Sequence, residues 1–528
     1  MNQDPPFIGS MVGSSPSVFS VLGHHPNPHM MVKHLCTFLG LSLWMSSSAQ
    51  FDWFRAFDPT GGSSVNHIWM DDTGRTFVIL TEAGPPYSTV IELSSDGTTI
   101  HEGSFPWGAE IPYGTIILRQ TQDGQLMVLG SLIPEPLGPA DSTRVALFRY
   151  NEQLEPLQSL TVGIPAKRVA YMASSIAPDN TIRVAYQTFV DETQPQQFRG
   201  LTLDMEGNEI QSLTLLDVGA FPSIGSLGIL PNGNMLMTTT AAIWDLNTLT
   251  TGTMQQYNDS WELLHTHGLP MVDPSTAIAQ NGPNWPLYTH VLPSGNVIAS
   301  GHYWKCFCDD RGVVLQRATV AGEVLTQWTA DSPYLQELPA WIKAIDVGPN
   351  GDLYYAQMNN WGGEGLPGTV PSQVELFRMD TALNVLGRYL FDGFESNTYY
   401  YPSYVKATPD GGVLVSGSMV DLDVPGAQPQ GWVAKFGPED FVGIGERADR
   451  MMLLFPNPGD LGFNLSLAAP IANGQVDLHD MQGRLVQSEL FSGINGFVAT
   501  QSLASGLYAV TLRDAQGNVL YQQRWAKE

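Results

Sequence analysis

The chain has 528 residues, 43% of them hydrophobic and 14% charged, which is enough apolar matter for a large core and too much chain for one ordinary domain. Asp and Glu number 51 against 24 Lys and Arg, a net charge of -27 that argues against a nucleic-acid backbone or an anionic membrane surface as partner. With only Cys36, Cys306 and Cys308, no disulfide framework holds the fold together, and no apolar run approaches the roughly 20 residues of a membrane-spanning helix.

Residues 1–29 are rich in Pro, Gly, Ser and His and read as a leader that is either non-native, with translation starting at Met30 or Met31, or a disordered extension. Residues 30–49 read as a secretory signal peptide: Lys33, the apolar segment Leu35 to Trp44, then small residues ending at Ala49, with cleavage before Gln50. From there a turn signature recurs, clearest in YVKATPDGGVLVSGS (Tyr404 to Ser418). Its closing Gly or Asn falls at 74, 124, 180, 233, 295, 351 and 411, intervals of 50 to 62 residues. Gly and Asn tolerate the positive φ that tight hairpins demand. Between these turns lies a second strand–turn–strand unit, for example LTLDMEGNEI (Leu201 to Ile210) and MQQYNDSWELL (Met254 to Leu264).

Two hairpins per period give four strands, the content of one propeller blade, so the expected fold is all-β: a seven-bladed β-propeller over residues 50–440. The seventh period lacks a fourth strand. The orphan strand Phe51 to Phe57 is expected to supply it beside Trp432 to Phe436, covering an edge that would otherwise pair with other chains. Long connections are expected on the rim opposite the short turns. Trp107, Trp285, Trp304, Trp361 and Tyr400, the last in the tract Tyr399–Tyr401, are read there as binding aromatics, rings able to stack on sugars or anchor a protein, with burial between blades as the alternative.

The same rim holds His265, His267, His302, Cys306 and Cys308, whose imidazoles and thiolates suit zinc or copper but whose spacing matches no established motif; a local Cys306–Cys308 disulfide or two inert thiols are the other readings. Gly-x-Ser-x-Gly, His-Glu-x-x-His and phosphate loops are absent, so no cofactor and no catalytic residue is expected. Three functions remain open: a non-catalytic binding or adhesion module for an extracellular glycan or protein, a secreted polysaccharide- or peptide-degrading enzyme, and a purely structural surface protein.

After a linker at 441–451 the grammar changes. Residues 452–528 read as a small β-sandwich of strands FNLSL, GQVDLHDMQGRLVQ, GFVATQSL, GLYAVTLRD and NVLYQQRWA. LFPNPG (Leu454 to Gly459), VDLHDMQGRLV (Val476 to Val486) and LASGLYAVTL (Leu503 to Leu512) together resemble the type A C-terminal sorting domain of the type IX (Por) secretion system. The resemblance implies export across the outer membrane by that machinery, to the cell surface or beyond. It carries over Pro456, Asn457, Pro458, Gly483, Gly506 and Tyr508 as the sorting motif.

Overall fold

The computed structural model describes residues 52–527, apart from 58–60, 72, 83–86, 105–109, 121–123, 135–142, 167, 190–195, 219–222, 241–251, 270–284, 305–310, 331–335, 362–369, 393–395, 442–451, 456–460, 481–483, 516 and 518. The expected leader, the expected signal peptide with Ala49 and Gln50, and the expected linker beyond Phe441 lie outside the described residues.

The architecture is all-β, and the hairpin turn is its unit of construction. Twelve turns among the described residues share one hydrogen-bond pattern. In the turn that opens at Leu230, the Gly233 N–H donates to Leu230 O (2.9 Å) and the Leu230 N–H donates to Asn234 O (2.8 Å). This closes a three-residue loop with its third residue in the left-handed region. All seven expected closing residues hold positive φ, including Gly233 at 85° and Asn180 at 60°. Three of the second hairpins depart from the rule: Leu154 (60°), Trp261 (61°) and Leu383 (67°) adopt the same conformation with bulky side chains and are buried. Their neighbours explain why. A Cβ on Gly200 would meet the Trp261 ring at 2.6 Å, and one on Gly103 would meet the Leu154 carbonyl oxygen at 2.2 Å. Each glycine thus clears space for a wedge from the next sheet, and the Trp261 indole N–H is satisfied by Thr202 Oγ1 at 3.0 Å. Burying such side chains offsets the left-handed strain.

Seven antiparallel sheets follow in chain order, spanning 63–104, 110–166, 168–218, 223–269, 285–329, 337–392 and 398–436, here called sheets one to seven. In the first five, each strand pairs with the next. The first strand of every sheet touches the first strand of the following one, and Thr398–Ala407 of sheet seven touches Ser63–Met70 of sheet one. Five first strands carry one extra residue against the second strand: Asn66, Tyr171, Gly225, Leu287 and Ser403. Such bulges re-aim side chains without ending the ladder. Sheet six enlarges the device. Glu337–Pro339 and Ile345–Val347 both pair with Leu353–Asn359, and the five residues 340–344 stand opposite Ala356 alone.

Sheet seven takes its fourth strand from the other end of the chain. Trp53–Phe57 pairs antiparallel with Gln430–Phe436, from Trp53 opposite Lys435 to Phe57 opposite Gly431, which is the pairing expected for the orphan strand. Phe54 stacks on Trp432 (6.1 Å) and Phe391 (5.9 Å), and Lys435 bridges Asp52 (3.0 Å) and Asp410 (2.5 Å).

The C-terminal segment corrects one expectation. FNLSL and GQVDLHD are not separate strands but parts of one, Gly462–Asp480, 19 residues long, flanked by the 15-residue Leu485–Ala499. Register shifts between Ser466 and Gly474 bend this pair, and one core takes Phe463 and Leu465 from one half and Val476 and Leu478 from the other. The described strands of this segment form one five-stranded hydrogen-bonded sheet with bent strands.

Deleting residues 53–57 bares the Gln430–Phe436 edge. The expected outcome is higher-order assembly in size-exclusion chromatography; a monodisperse variant that unfolds cooperatively at the parent temperature contradicts the closing role of this strand.

Candidate functional site

Where the first strands of sheets five, six, seven and one meet, the enlarged bulge of sheet six sets two features side by side. Its backbone is fixed first. The Ile342 and Lys343 N–H groups both donate to Ser403 O (2.9 and 3.0 Å), the bulged residue of sheet seven, and Val405 N–H donates back to Lys343 O (2.9 Å). This seam turns Trp341 and Ile342 outward, 39% and 36% exposed, and Lys343 inward, where it is buried.

Lys343 Nζ meets Asp346 Oδ1 at 2.7 Å and lies over the rings of Tyr404 (5.2 Å) and Tyr288 (6.0 Å). The other carboxylate oxygen of Asp346 accepts the Ala407 N–H at 2.9 Å and Lys406 Nζ at 3.2 Å. Burial by itself would push the Asp346 carboxyl up and the Lys343 ammonium down. The mutual attraction, reinforced for Asp346 by Lys406, outweighs burial, so the carboxyl is held below the usual range and the ammonium above its own. Beside this pin, the Tyr404 hydroxyl and His67 Nε2 share a hydrogen bond of 3.1 Å. Burial, with the charges of Lys343 and Lys406, lowers His67 to about 3. Burial also lowers His290 to about 4 against the opposing pull of Asp346. Both rings are neutral at pH 7.

The outward residues form an aromatic ledge. The Trp341 backbone N–H donates to Pro402 O at 3.2 Å, and the Trp341 ring lies 6.5 Å from that of Tyr401, which stacks in turn on Tyr399 at 6.5 Å and 12°. Trp361, half-buried, packs with Tyr401 against Leu338, Met358 and Tyr399.

Few of the expected site residues converge on this junction. Trp361 adjoins the ledge. The tract Tyr399–Tyr401 is not a loop but the start of the strand Thr398–Ala407, and Tyr400 is buried edge-on to Phe391 (4.5 Å) and Trp432 (5.8 Å), so it is a core residue. Trp285 and Trp304 sit in the first and second strands of sheet five, and Trp107 lies outside the described residues. His265 and His267 are on the fourth strand of sheet four, not in a loop, with rings 5.8 Å apart. His302 is buried in the second strand of sheet five, while Cys306 and Cys308 lie outside the described residues. Among the described residues no three His, Cys, Asp or Glu side chains gather as a metal site. Sequence reasoning missed Trp341, Lys343, Asp346, Tyr404, Lys406, His67 and His290. The signal was present in LPAWIKAIDVGPNG, where the apolar residues preceding the turn are too many for one first strand of the usual length.

In the C-terminal sheet, Tyr508 donates its hydroxyl proton to Ala504 O at 2.6 Å and packs against Trp525 at 6.2 Å, tying the Leu-Ala-Ser-Gly corner to the strand that follows. Gly506 holds φ +156°. Pro456, Asn457, Pro458 and Gly483 lie outside the described residues.

Residues 453–524 match the family described as secretion system C-terminal sorting domain. The segment is therefore a type IX sorting domain, handled by that machinery, and the protein is exported across the outer membrane to the cell surface or the extracellular space. Among the described residues no helix is long and apolar enough to cross a membrane.

No curated protein matches the chain. Among solved structures it is similar to the extracellular domain of a hybrid two-component system from B. thetaiotaomicron (10% identity, TM-score 0.41), covering 91% of this chain and 58% of that one. It is also similar to the Penicillium chrysogenum alpha-L-arabinanase complexed with arabinobiose (14% identity, TM-score 0.43, 63% of this chain and 99% of that one). A third is the alpha-L-arabinofuranosidase of Fusarium graminearum in complex with an iminosugar inhibitor (12% identity, TM-score 0.40, 57% of this chain and 90% of that one). No activity is read from likenesses this distant.

The buried histidines set a pH dependence with a definite sign. A histidine whose folded pKa lies below its unfolded value near 6.5 leaves the folded state with fewer bound protons, so stability falls as pH drops from 6.5 toward about 3 for His67. Replacing His67 by Gln is expected to flatten the thermal unfolding midpoint against pH between neutrality and pH 4, measured by circular dichroism. An unchanged slope contradicts the buried neutral ring.

Proposed function

We propose that this protein is an exported seven-bladed β-propeller that binds an extracellular glycan or protein ligand at the junction of its first strands. On this reading residues 30–49 are the signal peptide, 50–440 the propeller, 441–451 a linker and 452–528 the export tag. Seven blades are supported by seven successive sheets, by first strands that touch in sequence and return to the first, and by a last sheet completed from the N-terminal end.

The observation that carries binding is the ledge. Sheet six interrupts its first strand for five residues, and the interruption leaves a tryptophan and an isoleucine in solvent beside Tyr401. A strand that only closes a ring gains nothing from this exposure, because an exposed indole forgoes the burial that stabilises a core. An aromatic held by two neighbouring backbones is a pre-organised anchor for a sugar ring or an apolar side chain.

A glycan and protein binding screen with the secreted protein, repeated with Trp341→Ala, tests the reading. The variant is expected to lose affinity by about tenfold or more with an unchanged unfolding midpoint; full affinity contradicts the ledge as the site. In the producing cell, removing residues 452–528 is expected to hold the propeller in the periplasm, followed by fractionation and immunoblot.

A further inference from the structure

Sheet six buries polar side chains on the face turned away from the ledge. Along Leu353–Asn359 the alternate residues Tyr355, Gln357 and Asn359 share that face, with Glu375 opposite Gln357 and with Gln373 and Glu337 on either side of Asn359. All six are 2% exposed or less. The face looks toward sheet five: Tyr355 and Phe377 pack on Trp328 at 5.8 and 5.0 Å, Ile298 and Leu315 join the same core, and Glu337–Pro339 touches Val297–Trp304. This departs from the repeat. Six residues past the turn glycine, where sheet six sets Gln357 against Glu375, sheet two has Gly130 against Ala146 and sheet five has Gly301 against Val314.

The polar network on this face is only part-satisfied. Gln357 Nε2 donates to Asn359 Oδ1 (3.1 Å) and to Glu375 Oε2 (2.9 Å), and Arg388 pairs with the other Glu375 oxygen. Four buried atoms have no hydrogen-bond partner among the described residues: the Tyr355 hydroxyl, Gln357 Oε1, Asn359 Nδ2 and Gln373 Oε1. Buried polar groups are ordinarily paired, and where they are not, an apolar replacement of the same shape costs a fold little or nothing. Four such atoms on one face therefore point to something that meets them. Their frame is rigid, because Asn359 ends one strand, Gln373 begins the next, and Asn360 Nδ2 donates to Pro371 O at 2.7 Å between them.

The pattern of unmet groups selects the ligand. Two are acceptors, one is an amide donor, and the fourth is a hydroxyl that burial and, after it, the Glu337 charge push well above the usual tyrosine range, so it keeps its proton. An anion would bring acceptors only and stand beside Glu337 and Glu375, and a bare cation would leave the Asn359 amide unmet. Hydroxyls both donate and accept. Gln357 and Asn359 are about 7 Å apart along the strand and Asn359 and Gln373 about 5 Å across it, the scale of one sugar ring, with Trp328 and Phe377 as apolar surface below. We propose that this slot between sheets five and six binds one neutral sugar ring, whose hydroxyls donate to the Gln357 and Gln373 side-chain oxygens and accept from the Asn359 amide and the Tyr355 hydroxyl. The slot is a second site, independent of the ledge on the opposite face of the same sheet.

The test uses the full secreted chain, thermal unfolding by circular dichroism and titration calorimetry, with glucose, galactose, mannose and xylose as probes and calcium chloride beside them. At least one of the sugars is expected to raise the unfolding midpoint of the parent and to give a binding isotherm. Gln373→Met and Tyr355→Phe each delete one unmet group and leave the Gln357, Asn359 and Glu375 bonds in place, so both are expected to fold with a midpoint at or above that of the parent. Each is expected to bind that sugar about fivefold more weakly or worse, while Trp341→Ala keeps the parent affinity. No response to any of the sugars, a response undiminished in both slot variants, or a midpoint raised by calcium alone overturns the slot as a sugar site. Loss of folding in both slot variants without sugar also overturns it, because the deleted groups then have partners within the protein. A response lost in Trp341→Ala and kept in the slot variants puts the sugar on the ledge, which overturns the slot and leaves the reading above intact.

Discussion

A lysine ammonium cannot be buried without a partner, because desolvation of the charge costs several kcal/mol unless an opposite charge and hydrogen bonds replace water. Lys343 is buried where four sheets meet, and everything around it follows from that constraint. Asp346 must lie within reach, so the strand resumes at Ile345 after the interruption. Asp346 must itself be satisfied, and the Ala407 amide and Lys406 bring in sheet seven. The Tyr288 and Tyr404 rings cover the ammonium, and His67 meets the Tyr404 hydroxyl from sheet one. One ion pair thereby couples sheets that are far apart in sequence, at the edge of sheet seven opposite the strand that completes it from residue 53 onward.

The same interruption generates the exposed surface. Of five residues placed opposite one, one is consumed by the pin and two, Trp341 and Ile342, have no core to enter. In sheets one, three, four, five and seven the bulge is a single residue, and among the described residues no exposed tryptophan results there. Site and scaffold are therefore one local departure from a repeated pattern, placed where strands from several sheets converge.

The repeat was legible because its signal is a backbone requirement: a residue forced to positive φ is nearly always Gly or Asn, and those letters recur. Trp53–Phe57 was legible for a related reason, as a strand with no partner in its own repeat. Three of the second hairpins hid the same geometry: Leu154, Trp261 and Leu383 occupy the left-handed position, and for Leu154 and Trp261 the space is cleared by Gly103 and Gly200 of a neighbouring sheet. Tyr400 was misplaced by reading three consecutive tyrosines as a loop; alternation in a strand sends Tyr399 and Tyr401 to one face and Tyr400 to the other, into the core. The length of LPAWIKAIDVGPNG marked the interruption, but the pairing of Lys343 with Asp346 was not legible. Its spacing of three residues suits a helix as well as an interrupted strand, and nothing local tells a buried lysine from a solvated one.

The central claim is that Lys343 and Asp346 act as a coupled, buried pair that organises this junction. A double-mutant cycle measures it directly, with Lys343→Met, Asp346→Asn and the combined variant unfolded in urea. The account predicts that each single change costs about 3 kcal/mol or more by stranding a charge and that the double variant costs clearly less than the sum, a coupling of about 2 kcal/mol. Additivity within about 0.5 kcal/mol would contradict it and reduce the pair to two independent side chains.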